Sequence, residues 1–214
     1  MSLLSNNRAG LTIVSDPVTA ASHRIRLVVS EKVVEADLVS VSLDDKLPED
    51  LLQLNPAGRI PTLLDRDLVL FDERVISEYL DERFPHPALM PIDPMTRAKL
   101  RLMIYRIESE WYTRIADLEA ENVSANRKKL AIKELRENIT LLSPLFKQSD
   151  FLLSDAMSLL DCAVGPVLWR LRHFGISLPE QAAKNIHDYA LRLFAREGFQ
   201  KSLSEYEKTL RSQS

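Results

Sequence analysis

Short apolar runs alternate with apolar residues at helical spacing over the first 84 residues of the chain. Continuous apolar runs predict strands, and apolar residues three or four positions apart predict helices that bury one face. The predicted order is β-α-β-α-β-β-α, with strands at 11–15, 36–43, 61–64 and 68–71, helices at about 21–32 and 48–54, and a last helix capped by Asp72. The predicted buried stripe of that last helix is Val75, Ile76, Tyr79 and Leu80. This order predicts a mixed four-stranded sheet with helices on both faces.

Four prolines within ten residues follow this region: Pro85, Pro87, Pro91 and Pro94. Proline lacks an amide donor and disfavours helix in the residue before it, so this segment is a stiff, extended connector. We therefore divide the chain into an α/β domain at 1–88 and an all-helical domain at 89–214. Helices are predicted at 100–118, 124–146, 158–174 and around 186–194, with a shorter closing helix.

Composition and charge exclude several classes of protein. Hydrophobic residues make up 45% of the chain and charged residues 28%, which is enough apolar material for a folded core. The net charge of −3 argues against a general nucleic-acid binder, which needs clustered Lys and Arg. No apolar run approaches the roughly 20 residues that span a bilayer, and the first ten residues contain no apolar signal core. We therefore expect a cytoplasmic protein without a membrane partner.

Residue types that build cofactor and metal sites are sparse. Cys162 is the single cysteine, so an internal disulfide and a Cys-rich metal site are excluded, and a buried structural thiol is expected. The four histidines, His23, His86, His173 and His187, have no zinc-ligand spacing, so no metal site is predicted. The five glycines form neither a GxxxxGK[ST] nor a GxGxxG loop, so no cofactor is expected.

Two motifs resemble sequence motifs of the glutathione transferase superfamily. The stretch from Asn55 to Leu63, NPAGRIPTL, resembles the loop before the third strand, in which the bond before the proline, here Ile60–Pro61, is cis. From the residues alone, a trans proline opening an edge strand remains open. Ser158 and Asp161 resemble the capping box of the superfamily's helical domain. The resemblance implies the glutathione transferase fold, with a thioredoxin-like N-terminal domain and a C-terminal all-helical domain.

Longer stretches resemble one branch of that superfamily, the stringent starvation protein A family. They include EYLDERFPHP at 78–87, LMP at 89–91, RIE at 106–108, and parts of 161–171. That family keeps the transferase fold without transferase activity, forms homodimers and associates with bacterial RNA polymerase holoenzyme during starvation and stress. The resemblance also implies that the long helix with Trp111 and Tyr112 supplies the dimer interface. Packing of that helix within its own chain is the alternative.

The residues themselves place glutathione chemistry in doubt. A transferase needs a donor after the first strand that stabilises the glutathione thiolate, and the candidates here, Ser15, Thr19 and Ser22, equally suit turn formation and helix capping. Active transferases usually carry an acidic residue followed by Ser or Thr at the start of the third helix. This chain has Glu73 followed by Arg74, so we expect an inherited, non-catalytic glutathione site. The alternatives are an active transferase or thiol reductase, and binding of a small anion near Arg59 and Arg74.

The Pro85-His86-Pro87 segment is the predicted partner-binding surface. The two prolines fix their own backbone angles and display the imidazole on a rigid segment, which lowers the entropic cost of binding. A plain solvent-exposed linker histidine is the alternative reading of the residues. The family resemblance favours a contact with polymerase.

Overall fold

Four short strands form one mixed sheet in the order β2-β1-β3-β4 in the computed structural model, which describes residues 10–212. The strands are β1 (Leu11–Ser15), β2 (Asp37–Ser40), β3 (Thr62–Asp65) and β4 (Leu68–Leu70). β1 pairs with β2 in parallel and with β3 antiparallel, and β4 is antiparallel to β3. β1 and β4 therefore run in the same direction.

The helices of this first domain are α1 (Ala20–Glu31), α2 (Glu49–Leu54) and α3 (Glu73–Arg83). α1 and α3 follow β1 and β4, pack against each other, and end at the same edge of the domain. α1 also packs against the helical domain, so ten of its twelve residues are buried. A small second cluster of Val14, Val41, Leu51 and Ile60 covers the other face of the sheet.

The regular elements described in the second domain are helices. Its elements are α4 (Pro94–Ile107), a π-helical turn (Glu108–Tyr112), α5 (Thr113–Glu119), α6 (Ala125–Leu142), a 3₁₀ turn (Ser143–Lys147), α7 (Leu159–Arg170), α8 (Glu180–Phe194), α9 (Glu197–Ser202) and α10 (Glu205–Ser212). All twelve residues of α7 are buried, and one hydrophobic core continues from β1 and α1 through α4, α7 and α8. No helix within 10–212 is long and apolar enough to cross a membrane.

The predicted fold is confirmed, with local corrections. β2 and β4 are shorter than predicted, so Phe71 lies outside the sheet. Val75 is 49% exposed, because it lies on the outer face of α3, away from the core. The helix predicted at 100–118 contains the π-helical turn, and those predicted at 124–146 and 158–174 end earlier, at Leu142 and Arg170.

The position of Trp111 corrects the expectation that this residue lies in a dimer interface. Its side chain is fully buried within its own chain, and the Tyr112 hydroxyl donates a hydrogen bond to the Ala163 carbonyl at 2.9 Å. The alternative reading, packing within the chain, is therefore the right one for Trp111. Trp111 is therefore not available for a dimer contact.

Candidate functional site

The structure brings the expected glutathione-site residues together at one end of the sheet. Val14 pairs with Thr62, so Ser15 at the end of β1 lies beside the Ile60–Pro61 turn. The Ile60–Pro61 bond is cis, as the family resemblance implies. The Asn55 side-chain amide donates to the Arg59 carbonyl at 2.7 Å and to the Thr62 hydroxyl at 2.9 Å, which fixes the turn.

The three candidate hydroxyls at this end are already hydrogen-bonded within the chain. Ser15 is buried and accepts from the Arg26 guanidinium at 2.5 Å. Thr19 caps α1 by accepting from the Ser22 amide at 3.4 Å, and the fully buried Ser22 hydroxyl accepts from the Asp16 amide at 2.9 Å. These contacts fit the capping and turn roles that the sequence left open, and the side chains of Ser15 and Ser22 are buried.

The start of α3 is also occupied. The Asp72 carboxylate accepts from the amides of Arg74 and Val75, each at 3.1 Å. Two of the helix-terminal amides that could bind a ligand carboxylate therefore already have a partner within the chain. The Arg74 guanidinium lies 3.1 Å from the carboxylate of Glu108, which also accepts from Arg24 at 2.8 Å. A long cation tied to the helical domain therefore stands where the transferases carry a small hydroxyl.

Glu73 faces the same cluster. Burial raises the pKa of Glu73 above its ordinary value, and the positive charge of Arg24 opposes that change. Arg24 is 1% exposed, and its Nε and Nη2 atoms have no hydrogen-bond partner among the described residues. Its guanidinium lies 5.8 Å from the centre of the Tyr112 ring, a cation–π contact. The junction therefore holds two acidic side chains, Glu73 and Glu108, beside two basic ones, Arg24 and Arg74.

Tyr112 does not replace the missing thiol activator. Burial raises the pKa of the Tyr112 phenol, and its proton is donated to a backbone carbonyl. The Tyr112 hydroxyl is therefore neutral and hydrogen-bonded to the Ala163 carbonyl. Cys162 is fully buried as predicted, and burial raises its thiol pKa, which disfavours the reactive thiolate. No group of three or more His, Cys, Asp or Glu side chains within 10–212 is arranged to hold a metal ion.

The Ser158–Asp161 capping box has a purely structural setting. The Ser158 amide donates to the Asp161 carboxylate at 2.8 Å, and the Ser158 hydroxyl accepts from the Leu160 amide at 3.2 Å. The other carboxylate oxygen of Asp161 accepts from the Leu152 amide and the Tyr189 hydroxyl, at 2.9 and 2.8 Å. All these groups lie inside the helical domain, so the box fixes the start of α7.

A buried charge network between the domains was not predicted from the sequence. The Glu207 carboxylate on α10 binds Arg26 at 2.7 Å and Arg170 at 2.5 Å, and Arg170 also lies 2.9 Å from Glu119. Burial raises the pKa of Glu119 to about 7, although Arg170 and the Ala20 amide favour its charged form. The network therefore ties α1, α5, α7 and α10 together.

The Pro85-His86-Pro87 segment lies at the opposite end of α3 from Glu73 and Arg74. Residues 85–88 are exposed, whereas Leu89 and Met90 are buried in the shared core. The eleven residues of α3 separate the two locations by roughly 16 Å. A partner bound at this segment therefore need not occupy the glutathione site.

Comparisons with known proteins agree with this fold. The family models for the N-terminal and C-terminal domains of glutathione S-transferase match residues 9–82 and 94–197. A stringent starvation protein A homolog of Haemophilus influenzae is 43% identical over 205 residues, covering 96% of this chain and 95% of the relative. The homolog of Coxiella burnetii is also 43% identical, covering 95% and 96%. A solved ternary complex of BphK, a bacterial GST, has a TM-score of 0.82 at 24% identity, covering 92% of this chain and 99% of that one.

Proposed function

Since the chain belongs to the stringent starvation protein A family of the glutathione transferase superfamily, we propose that it is a non-enzymatic regulator that binds bacterial RNA polymerase holoenzyme in the starvation and stress response. The observation that supports the absence of transferase activity is that Ser15 and Ser22 are buried, while Thr19 serves as the cap of α1. A protein that works beside polymerase acts in the cytoplasm.

The chemistry of glutathione supports this reading. A free thiol has a pKa near 8.5, so a transferase must supply a donor that stabilises the thiolate at neutral pH. Ser15, the candidate at the end of β1, is buried, and the Arg74–Glu108 pair lies at the start of α3. Binding glutathione there would break an ion pair between the domains without providing an activated sulfur.

The polymerase half rests on the family and on the exposed connector. Residues 85–88 form an exposed projection between two buried stretches, Leu80–Asp81 and Leu89–Met90. Both ends of the projection are anchored, so little conformational entropy is lost when a partner covers it. We place the polymerase contact on Pro85, His86 and Pro87.

We also propose a homodimer through the outer faces of α3 and α4. Large apolar side chains are exposed there: Val75, Met95, Leu102 and Tyr105 are 49%, 67%, 68% and 56% exposed. The Arg101–Glu78 pair, with bonds of 2.9 and 2.6 Å, holds the two helices side by side. An apolar face of this kind is typical of an interface. It replaces the buried Trp111 as the dimer contact.

Two assays test the proposal. The wild-type chain should show no conjugation of glutathione to chlorodinitrobenzene above the uncatalysed rate, and it should retain polymerase holoenzyme in a pull-down. The variant with alanine at positions 85, 86 and 87 should keep its melting temperature and lose the holoenzyme. Turnover at ordinary transferase levels would refute the non-enzymatic half, and equal retention by the variant would refute the contact surface.

A further inference from the structure

Val33 lies at the same edge of the first domain as the connector. α1 and α3 run in the same direction because they follow β1 and β4, so both helices end at this edge. Val33 comes two residues after α1, and Pro85 comes two residues after α3. A direct contact joins the two ends, because the Lys32 ammonium lies 2.7 Å from the Asp81 carboxylate.

The backbone of Val33 has an unfavourable conformation. Its φ is +52°, in the left-handed region that glycine adopts freely and that a β-branched residue rarely adopts. The Val34 amide donates to the Val29 carbonyl at 3.2 Å, which is the helix-ending pattern that usually places glycine at this position. The Val33 side chain is 85% exposed, so packing within the chain does not compensate for the strain.

Lys32 fixes the connector relative to Val33. Its side chain is fully buried, and its ammonium donates to the Pro87 carbonyl at 2.5 Å as well as to Asp81. The same Asp81 oxygen accepts from the Leu89 amide at 2.8 Å. The buried Lys32–Asp81 pair therefore fixes the connector at Pro87 and Leu89, and Lys32 is the residue next to Val33.

We propose that Val33 and residues 85–88 form one contact surface for the polymerase holoenzyme, and that Lys32 and Asp81 are its positioning residues. This inference rests on the proposed function. Apart from the imidazole of His86, the exposed side chains are those of valine, proline and alanine, so the matching surface on the polymerase is apolar. A strained, exposed valine is retained at a cost in stability because the partner buries it.

The test measures holoenzyme affinity and thermal unfolding for matched variants of the full-length protein. Val33→Gly relieves the strained backbone, so it should unfold at the same or a higher temperature yet bind holoenzyme at least about fivefold more weakly. Lys32→Met removes both ammonium contacts. It should weaken binding and speed amide exchange of the Leu89 region by about tenfold, the scale of a lost hydrogen bond to a charged group.

Arg114→Met is the control, because it breaks the Arg114–Glu134 pair between α5 and α6 in the helical domain, which involves neither Val33 nor the connector. It should bind as the wild type does. Lys32→Met should have no further effect on binding when combined with alanine at 85, 86 and 87, because it acts through the connector.

Each outcome decides one part. Wild-type affinity in Val33→Gly would exclude Val33 from the surface. Wild-type affinity and exchange in Lys32→Met would overturn the positioning role, and so would an equal loss of affinity in Arg114→Met. If the wild-type chain itself fails to bind holoenzyme, the proposed function fails, and the exchange rates alone decide whether Lys32 holds the connector.

Discussion

Glu207 is the carboxylate on which the packing of the C-terminal helix depends. It is fully buried, binds Arg26 and Arg170 with separate oxygens, and lies 3.4 Å from the Nδ1 atom of His23. Burial, with the charge of Arg170, lowers the pKa of His23 well below its ordinary value, so the histidine is neutral and the Glu207 carboxylate is the shared partner of the two arginines. Glu207→Gln keeps the shape of the side chain and removes the charge. Its amide NH₂ would then face guanidinium donors.

The expected loss of stability is large. Removing one partner of a buried ion pair costs about 3–5 kcal/mol, because the remaining charge stays buried without compensation. For a protein of this size, each kcal/mol lowers the melting temperature by roughly 2–4 °C, so we expect a decrease of about 6–20 °C.

Thermal unfolding followed by far-UV circular dichroism measures the effect. Glu205→Gln is the matched control, because Glu205 lies on the same helix, is 91% exposed and pairs with Lys208 at the surface. The control should melt with the wild type. If Glu207→Gln also melts within 2 °C of the wild type, taken as about 1 kcal/mol, the buried network does not hold the domains together as we describe.

The raised pKa of Glu119 means that its folded form keeps a proton between about pH 4.5 and 7, so this group makes the protein less stable as pH rises through that window, by at most about 1.4 kcal/mol per pH unit. Denaturant titrations at several pH values should show a flatter profile in Glu119→Gln, and parallel profiles would contradict the assignment. Cys162 should resist Ellman's reagent in the native protein and react fully in guanidinium; fast native labelling would show that the thiol is accessible. Leu102→Asp should give a monomeric mass in light scattering with the transferase fold intact, whereas an unchanged dimer would move the interface elsewhere.

The sequence predicted the fold well because its signals are local. The strand and helix order follows from apolar spacing, whereas the cis bond at Ile60–Pro61 was implied only by the resemblance of its motif to the superfamily. Val75 was misplaced because its spacing fits the buried stripe of α3 although it faces outward. The predicted strands β2 and β4 were too long, because apolar residues continue past the last position that pairs in the sheet.

The charge networks could not be predicted from the sequence. Arg24 and Glu108 are 84 positions apart, and Arg26 and Glu207 are 181 apart, so only the packing of the two domains brings them together. The sequence of α1 did not indicate that Arg24 and Arg26 are buried. A helix that is covered on nearly all sides has no amphipathic pattern from which its buried polar residues could be identified. The sequence showed that Arg74 replaces the small hydroxyl of the transferases but not what it contacts. The structure shows that it pairs with Glu108 of the helical domain.

A titration of the purified chain with RNA polymerase holoenzyme tests the central claim most directly. We expect saturable binding by the wild-type chain, and affinity at least about tenfold lower for the variant with alanine at positions 85, 86 and 87, which should melt at the wild-type temperature. Absence of saturable wild-type binding, or equal affinity of the two proteins, would contradict it.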